Sequence, residues 1–381
     1  MTLFETLRLT RQPARAFAII GLFWGAFAAH VPVFKAGLGD DDGQFGLLLL
    51  GTSFGLVSAM WLAPRIDRTL GDAGLPVVAL AFAAVFVFPA LAHGPSVFFV
   101  ALLVLGFMSG LTDVVMNARV SELEGLSGAP LMNANHGVFS AAYAISAIFS
   151  GLAREAGVGP VAVFGALAVV CIPLALSARP KVAVVAPATS DARAAMVMPV
   201  VLCGAVVLIA FMTEATVETW SALHVERTLG GRAAQGAAGP AVLGLTMAVG
   251  RFSGQAATAR FSEFFVLRAG AVLAICGVAT VAIAPVPVIA YLGFAAVGLG
   301  VSVIGPIGLA LTGRLVPESQ RTRAIARVAV IGFAGFFIAP VIMGQLSDGF
   351  GLRAAFAIFG VVLVLVFPLV SFIRRLPGVQ G

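Results

Sequence analysis

Three stretches of this chain, Val97–Thr112, Val197–Thr213 and Ala354–Ser371, run 16, 17 and 18 residues without one charged side chain. A helix of about 20 apolar residues spans the roughly 30 Å hydrocarbon core of a bilayer. Strands satisfy their backbone in lipid only as a closed barrel, built from short segments of alternating polarity. That alternation is absent here, so the spans are expected to be helices. The rest of the chain agrees: 60% of its residues are hydrophobic and 10% charged, against about 25% charged in soluble domains. The sequence is expected to give an all-α membrane protein.

Gly, Pro and charge clusters divide the apolar sequence into blocks. Twelve transmembrane helices are expected, at 14–36, 44–64, 74–93, 96–119, 132–154, 159–178, 196–223, 239–259, 266–285, 287–313, 324–346 and 352–373. The first block lacks a small-residue cleavage site and is expected to stay as the first span. The stretch 179–195, with Pro180, Pro187 and Ser190, reads as a cytoplasmic linker. It separates an N-terminal six-helix half, 1–178, from a C-terminal one, 196–381. Gly137–Gly157 resembles Gly332–Gly351, a weak internal repeat that supports the division.

Arg and Lys set the orientation. With the N-terminus inside, 17 of the 23 basic residues fall on the inner side and five on the outer. Both termini are therefore expected in the cytoplasm, with the chain in a bacterial cytoplasmic (inner) membrane. The net charge of +6 belongs to these short loops and does not point to nucleic acid. Cys171, Cys203 and Cys276 each lie inside an apolar block without metal-ligand spacing, and read as packing residues. No cofactor is expected. The four His residues, at 30, 93, 136 and 224, form no short ligand motif, which argues against an intramembrane enzyme.

A charge near the middle of a bilayer costs roughly 2.5–3.5 kcal/mol on the insertion scale, so each one needs a partner, a water-filled cavity or a function. Ser109, Asp113 and Asn117 share one face of the fourth span by their spacing of four. They read either as a cavity-facing stripe or as a hydrogen bond to a neighbouring helix. Glu214, Glu218 and Ser221 share a face of the seventh span, beside Trp220. Carboxylates one turn apart repel when both are charged, which suits one of them to reversible protonation; Glu218 near an interface and Trp220 as a belt anchor is the other reading. The fifth span opens with Asn133, Asn135, His136 and Ser140, as titrating site or as helix cap. Trp24 and His30 lie in the first span, His30 toward its outer end. Arg251 in the eighth span requires a carboxylate or carbonyl partner. The loops Pro64–Gly71 and Pro317–Arg327 read as gates, with Asp67 and Arg68 at the cytoplasmic mouth.

These segments resemble a known family. PRIDRTLG (Pro64–Gly71) is similar to the major facilitator signature of an Asp-Arg pair followed by Gly, with Gly71 one residue late and the second basic pair absent. DVVMNARVSELEG (Asp113–Gly125), MNANHGVFS (Met132–Ser140) and EATVETWS (Glu214–Ser221) resemble the bacterial MosC/YbjJ-type branch of the major facilitator superfamily, related to the fucose permease group. The resemblance implies the major facilitator fold. Asp113 and Asn117 match the acidic residue and Asn of the fourth span in sugar:proton symporters of that group. The group's first-span Asp falls near Pro32 and is missing. In the closer branch's EGAxxDWS, Ala215 here replaces Gly and Thr219 replaces Asp.

The functional expectation is a proton-coupled symporter, not an enzyme, moving a sugar or sugar-like polar solute by alternating access. Asp113, Glu214, Glu218 and His136 are the candidates for proton coupling. Trp24, His30, Asn117, Asn135 and Trp220 are the candidates for contacting the small-molecule substrate. Asp67, Arg68 and Arg251 are the candidates for gating. Its partners are the solute, protons and the lipid bilayer, with a monomer as the functional unit. The alternative is a proton-driven exporter of drugs or other toxic or signalling compounds.

Overall fold

The computed structural model describes residues 3–129, 131–179 and 197–376. The described residues are helical nearly throughout, with no strand among them. A short helix, Leu3–Leu9, precedes α1 (Arg11–Leu38). Then follow α2 (Asp42–Leu48 and Leu50–Leu70), α3 (Gly74–Ala84 and Phe88–Leu91), α4 (Pro95–Ser127), α5 (Met132–Glu155) and α6 (Pro160–Leu176). Beyond the undescribed stretch lie α7 (Val197–Leu223, continued by a π turn at His224–Thr228), α8 (Ala233–Arg260), α9 (Glu263–Ile283) and α10 (Pro287–Leu315). The segment Arg321–Val364 breaks at Gly351. Its parts are α11 (321–350) and the start of α12, which continues through Val366–Arg374.

Among the described residues, eight runs are long and apolar enough to cross a membrane. Two of these, Asp42–Leu91 and Arg323–Arg374, hold 50 and 52 residues. At 1.5 Å per residue each is more than twice a bilayer core, so each must turn back. The turns fall at glycines with positive φ, Gly71 (54°) and Gly351 (79°), a conformation that costs glycine nothing. The shorter apolar α6 and the less apolar α8 complete the set of twelve.

Helix neighbours repeat at an offset of six. In the first half α1 packs on α5, α2 on α4 and α3 on α6; in the second α7 packs on α11, α8 on α10 and α9 on α12. The halves meet through α5 against α8, α2 against α11 and α1 against α7. The repeat seen between Gly137–Gly157 and Gly332–Gly351 maps onto the equivalent helices α5 and α11, each followed by a left-handed glycine, Gly157 (φ 81°) and Gly351 (φ 79°). Lipid offers apolar side chains no hydrophobic reward for leaving it, so close backbone approach carries much of the packing. A Cβ on Gly25 of α1 would collide with the Tyr143 carbonyl of α5, and one on Gly106 of α4 with the Thr52 carbonyl of α2.

Several expected boundaries shift. Pro64–Gly71, expected as a loop, is helical through Leu70, and α4 continues to Ser127 instead of ending at 119. Helix α8 begins at Ala233 instead of 239, and α11 at Arg321 instead of 324. In each case hydropathy falls at the water boundary while the backbone ladder runs on. The expected linker at 179–195 lies, beyond residue 179, outside the described residues.

Candidate functional site

A cavity of about 240 Å³ lies between the two halves. Each helix around it contributes a strip at helical spacing. From α1 come Ile20, Trp24, Phe27 and Ala28; from α2, Leu49, Thr52, Ser53 and Leu56; from α4, Gly106, Ser109 and Asp113. Phe139 and Tyr143 of α5 complete the first half's wall. The second half supplies Glu214, Ala215, Glu218 and Thr219 from α7, and Phe333, Phe336 and Pro340 from α11.

The polar groups of the wall are tied to one another. The Trp24 indole N–H donates to Ser109 Oγ at 3.2 Å. Asn117 sits one turn beyond Asp113 and donates to its Oδ1 at 3.1 Å and its carbonyl at 2.8 Å. Asn117 thus reaches the cavity through Asp113. Arg251 of α8 has the cross-helix carboxylate it requires: Nη2 lies 3.3 Å from Glu214 Oε1, with side chains 13% and 8% exposed. Its Nη1 donates to Ser140 Oγ of α5 at 2.6 Å. One guanidinium therefore joins α7 and α8 to α5 across the interface between halves.

Four candidates stand away from the cavity wall. His136 sets its ring edge-on to Phe17, with centroids 5.0 Å apart, and offers its carbonyl toward Arg251. Asn135 is buried and donates to the Leu131 carbonyl at 2.9 Å. His30 is fully buried, not interfacial; its Nδ1 lies 2.8 Å from the Ala26 carbonyl and its ring faces Phe34 and Phe164. Trp220 is also fully buried, edge-on to Phe45, so it is no belt anchor. All four share a helix with a wall residue, but their faces turn into the bundle.

Ion pairs mark both ends of the molecule. On the face where α1 begins and α12 ends, Asp67 Oδ1 meets Arg119 Nη2 at 2.6 Å, and Arg119 Nη1 meets Glu122 Oε1 at 3.0 Å. Arg119 is 3% exposed. This cluster ties α2 to α4 within the first half. Arg68 is exposed and donates to the Pro64 carbonyl at 3.1 Å. On the opposite face the pairs cross between halves. Arg154 of α5 holds Glu226 bidentately at 2.8 and 2.9 Å and donates to the Ala29 carbonyl at 2.5 Å. Asp42, at the start of α2, pairs with Lys35 at 3.0 Å and with Arg227 Nη1 at 2.7 Å, and accepts from Ser347. Arg232 meets Glu155 at 2.9 Å. In the sequence Arg119, Arg154 and Arg227 are visible only among the basic residues that set orientation, and Asp42 carries no signal of its pairing. Tyr143, Phe139, Phe333 and Phe336 gave no signal at all, being aromatic residues within apolar blocks.

Residues 266–380 match the family model of the Major Facilitator Superfamily. An uncharacterised MFS-type transporter of Yersinia pestis is 28% identical over 92% of each chain. Membrane protein MosC of Rhizobium meliloti is 24% identical, over 95% of this chain and 89% of MosC. The D-xylose-proton symporter has the same architecture over 100% of this chain and 99% of its own, with a TM-score of 0.77 at 13% identity. Over residues 266–380 by sequence, and in fold throughout, this chain is similar to the major facilitator superfamily. A bacterial homologue of the human lysosomal transporter Spinster, solved inward-facing and occupied, superposes with a TM-score of 0.72 at 14% identity, covering 98% and 97%. The nucleoside transporter NupG gives 0.71 at 13%, covering 96% and 100%. At such identities these likenesses establish a shared fold, and the transport fold of the superfamily is what twelve helices around one central cavity build.

Proposed function

We propose that this chain is a proton-coupled secondary active transporter, not an enzyme, carrying a small polar solute across a bacterial cytoplasmic membrane. One observation carries the reading: Asp113, Glu214 and Glu218, from both halves, face a single cavity at the interface. Ionisable groups in a transporter core mark substrate and proton paths. Asp113 is held by Asn117 alone among the described residues, and is placed to exchange a proton with the cavity. Glu214 shares its charge with Arg251, so protonating Glu214 frees a cation that also holds Ser140 across the interface. Proton uptake thereby changes the surroundings of the one guanidinium in this group that reaches across the interface to Ser140.

The two halves are 1–178 and 196–381, with 179–195 as the cytoplasmic linker between them. The arginine-rich face is cytoplasmic, by the 17-to-5 split of basic residues. The clasp of Arg154, Glu226, Asp42 and Arg227 then closes the periplasmic side. A monomer suffices, since the cavity lies within one chain. The D-xylose-proton symporter likeness is in keeping with proton-driven uptake.

A second reading is export. The rings of Phe27, Phe139, Phe333 and Phe336 make much of the wall, a surface suited to amphipathic compounds. Proteoliposomes given an acid-outside gradient and a panel of labelled polar metabolites test the first reading. The expected result is gradient-dependent accumulation that is lost in Asp113→Asn. Accumulation equal in wild type and Asp113→Asn refutes the proton assignment. A deletion strain hypersensitive to toxic amphiphiles, with uptake unchanged, favours export.

A further inference from the structure

We propose that the solute bound in the central cavity is an organic cation, an ammonium-bearing molecule whose charge is held by Glu218. The inference rests on the transport reading above and names the chemical class of its substrate. Among the described residues, the cavity wall carries three carboxylates and no Lys, Arg or His. The nearest basic group, Arg251, is already committed: one Nη to Glu214, the other to Ser140. That leaves Glu218 without a cationic partner on the wall among the described residues. A buried carboxylate is expensive unless neutralised, and a cationic solute is the neutralising group the cavity lacks.

A second, independent feature points to the same ligand. Tyr143 is 1% exposed and lines the cavity, yet its hydroxyl has no hydrogen-bond partner among the described residues. Buried hydroxyls are nearly always satisfied, so this one awaits a group from the cavity. It lies within electrostatic reach of Glu218 and Glu214. An ammonium group brings three donors, enough for the Glu218 carboxylate and the Tyr143 oxygen together. Phe333 and Phe336 line the same cavity, and aromatic faces attract cations. An anion would meet carboxylates and find no donor with a positive charge. A neutral sugar would leave Glu218 uncompensated. On this reading Glu218 is the counter-charge and Asp113 remains free for the proton.

The test is binding without any gradient, on the full chain in lipid nanodiscs. Quenching of tryptophan fluorescence is followed in Trp61→Phe protein, which keeps Trp24 on the cavity wall and the fully buried Trp220 as an internal background, with phenethylamine, 2-phenylethanol and phenylacetate, and with glucosamine against glucose. The amine of at least one series is expected to bind tenfold or more tighter than its neutral partner, with no binding of the carboxylate. Glu218→Gln is expected to abolish that preference and Glu218→Asp to retain part of it. Should Glu218→Gln lower the ligand-free melting temperature, Tyr143→Phe takes its place, with amine affinity expected to fall about threefold or more. No amine binding, equal binding of neutral or anionic partners, or a preference that survives Glu218→Gln overturns the proposal. Proton-driven uptake of a neutral or anionic solute would sink this inference and leave the transport reading standing. Amine binding without any proton movement would do the reverse.

Discussion

Removing the Arg154 guanidinium should open the face proposed above as periplasmic. Arg154 ties α5 to Glu226 and to the Ala29 carbonyl of α1. Glu226 belongs to the second half, so the pair exists only while the halves are closed on that side. Opposite charges about 4 Å apart attract by roughly 4 kcal/mol at an effective dielectric near 20. Losing one partner of a buried pair costs about 3–5 kcal/mol, because the other charge is left uncompensated. The side chains are 7% and 18% exposed, so Glu226 keeps some water and the low end applies. About 3 kcal/mol shifts the closed-to-open ratio by roughly 100-fold. The assay is labelling of a cysteine at Ser53, on the cavity wall, by a membrane-impermeant maleimide added outside whole cells. Cys276, the exposed native cysteine, is first replaced by Ser. Labelling should be slow with Arg154 present and rise by one to two orders of magnitude in Arg154→Gln. The exchange pair Arg154→Glu with Glu226→Arg should bring much of the protection back. A labelling rate unchanged by Arg154→Gln refutes the clasp.

Other outcomes follow from the same geometry. Arg251→Met should leave Glu214 buried without its cation and cut gradient-driven uptake at least tenfold, with a lower melting temperature; an unchanged uptake rate speaks against its bridging role. Asp67→Asn should destabilise the first half by about 3 kcal/mol, since Arg119 is 3% exposed and loses its closest carboxylate. Thermal denaturation in detergent checks this, and a melting temperature within a degree of wild type contradicts it. Gly25→Ala should prevent the close approach of α1 to α5 and abolish the monodisperse peak in size-exclusion chromatography, as the new Cβ meets rigid backbone at Tyr143.

The sequence carries the architecture well because each crossing must be apolar for its own reasons. Asp113, Glu214, Glu218 and Trp24 are legible for the converse reason: polar groups inside such blocks demand an explanation, and these four reach the cavity wall. His30, Asn135, His136 and Trp220 show the limit of that logic. Spacing tells which residues share a helix face, but the direction of the face depends on helix rotation, which only neighbouring helices fix. Tyr143 and Phe333 were invisible because an aromatic ring in an apolar block looks the same facing lipid, core or cavity. The partners Arg154 with Glu226 and Asp42 with Arg227 lie 72 and 185 residues apart. Nothing local in the chain announces such pairings, and the orientation signal alone accounts for the two arginines. The helix ends were misjudged because water halts hydropathy, not hydrogen bonding.

Simultaneous recording of solute and proton movement decides the central claim. Proteoliposomes holding a pH-sensitive dye are given a labelled solute that the chain transports, with no gradient imposed. The account predicts an internal pH change in step with solute flux, and loss of that change in Asp113→Asn. Solute movement at full rate with no accompanying pH change, in wild type, would contradict it.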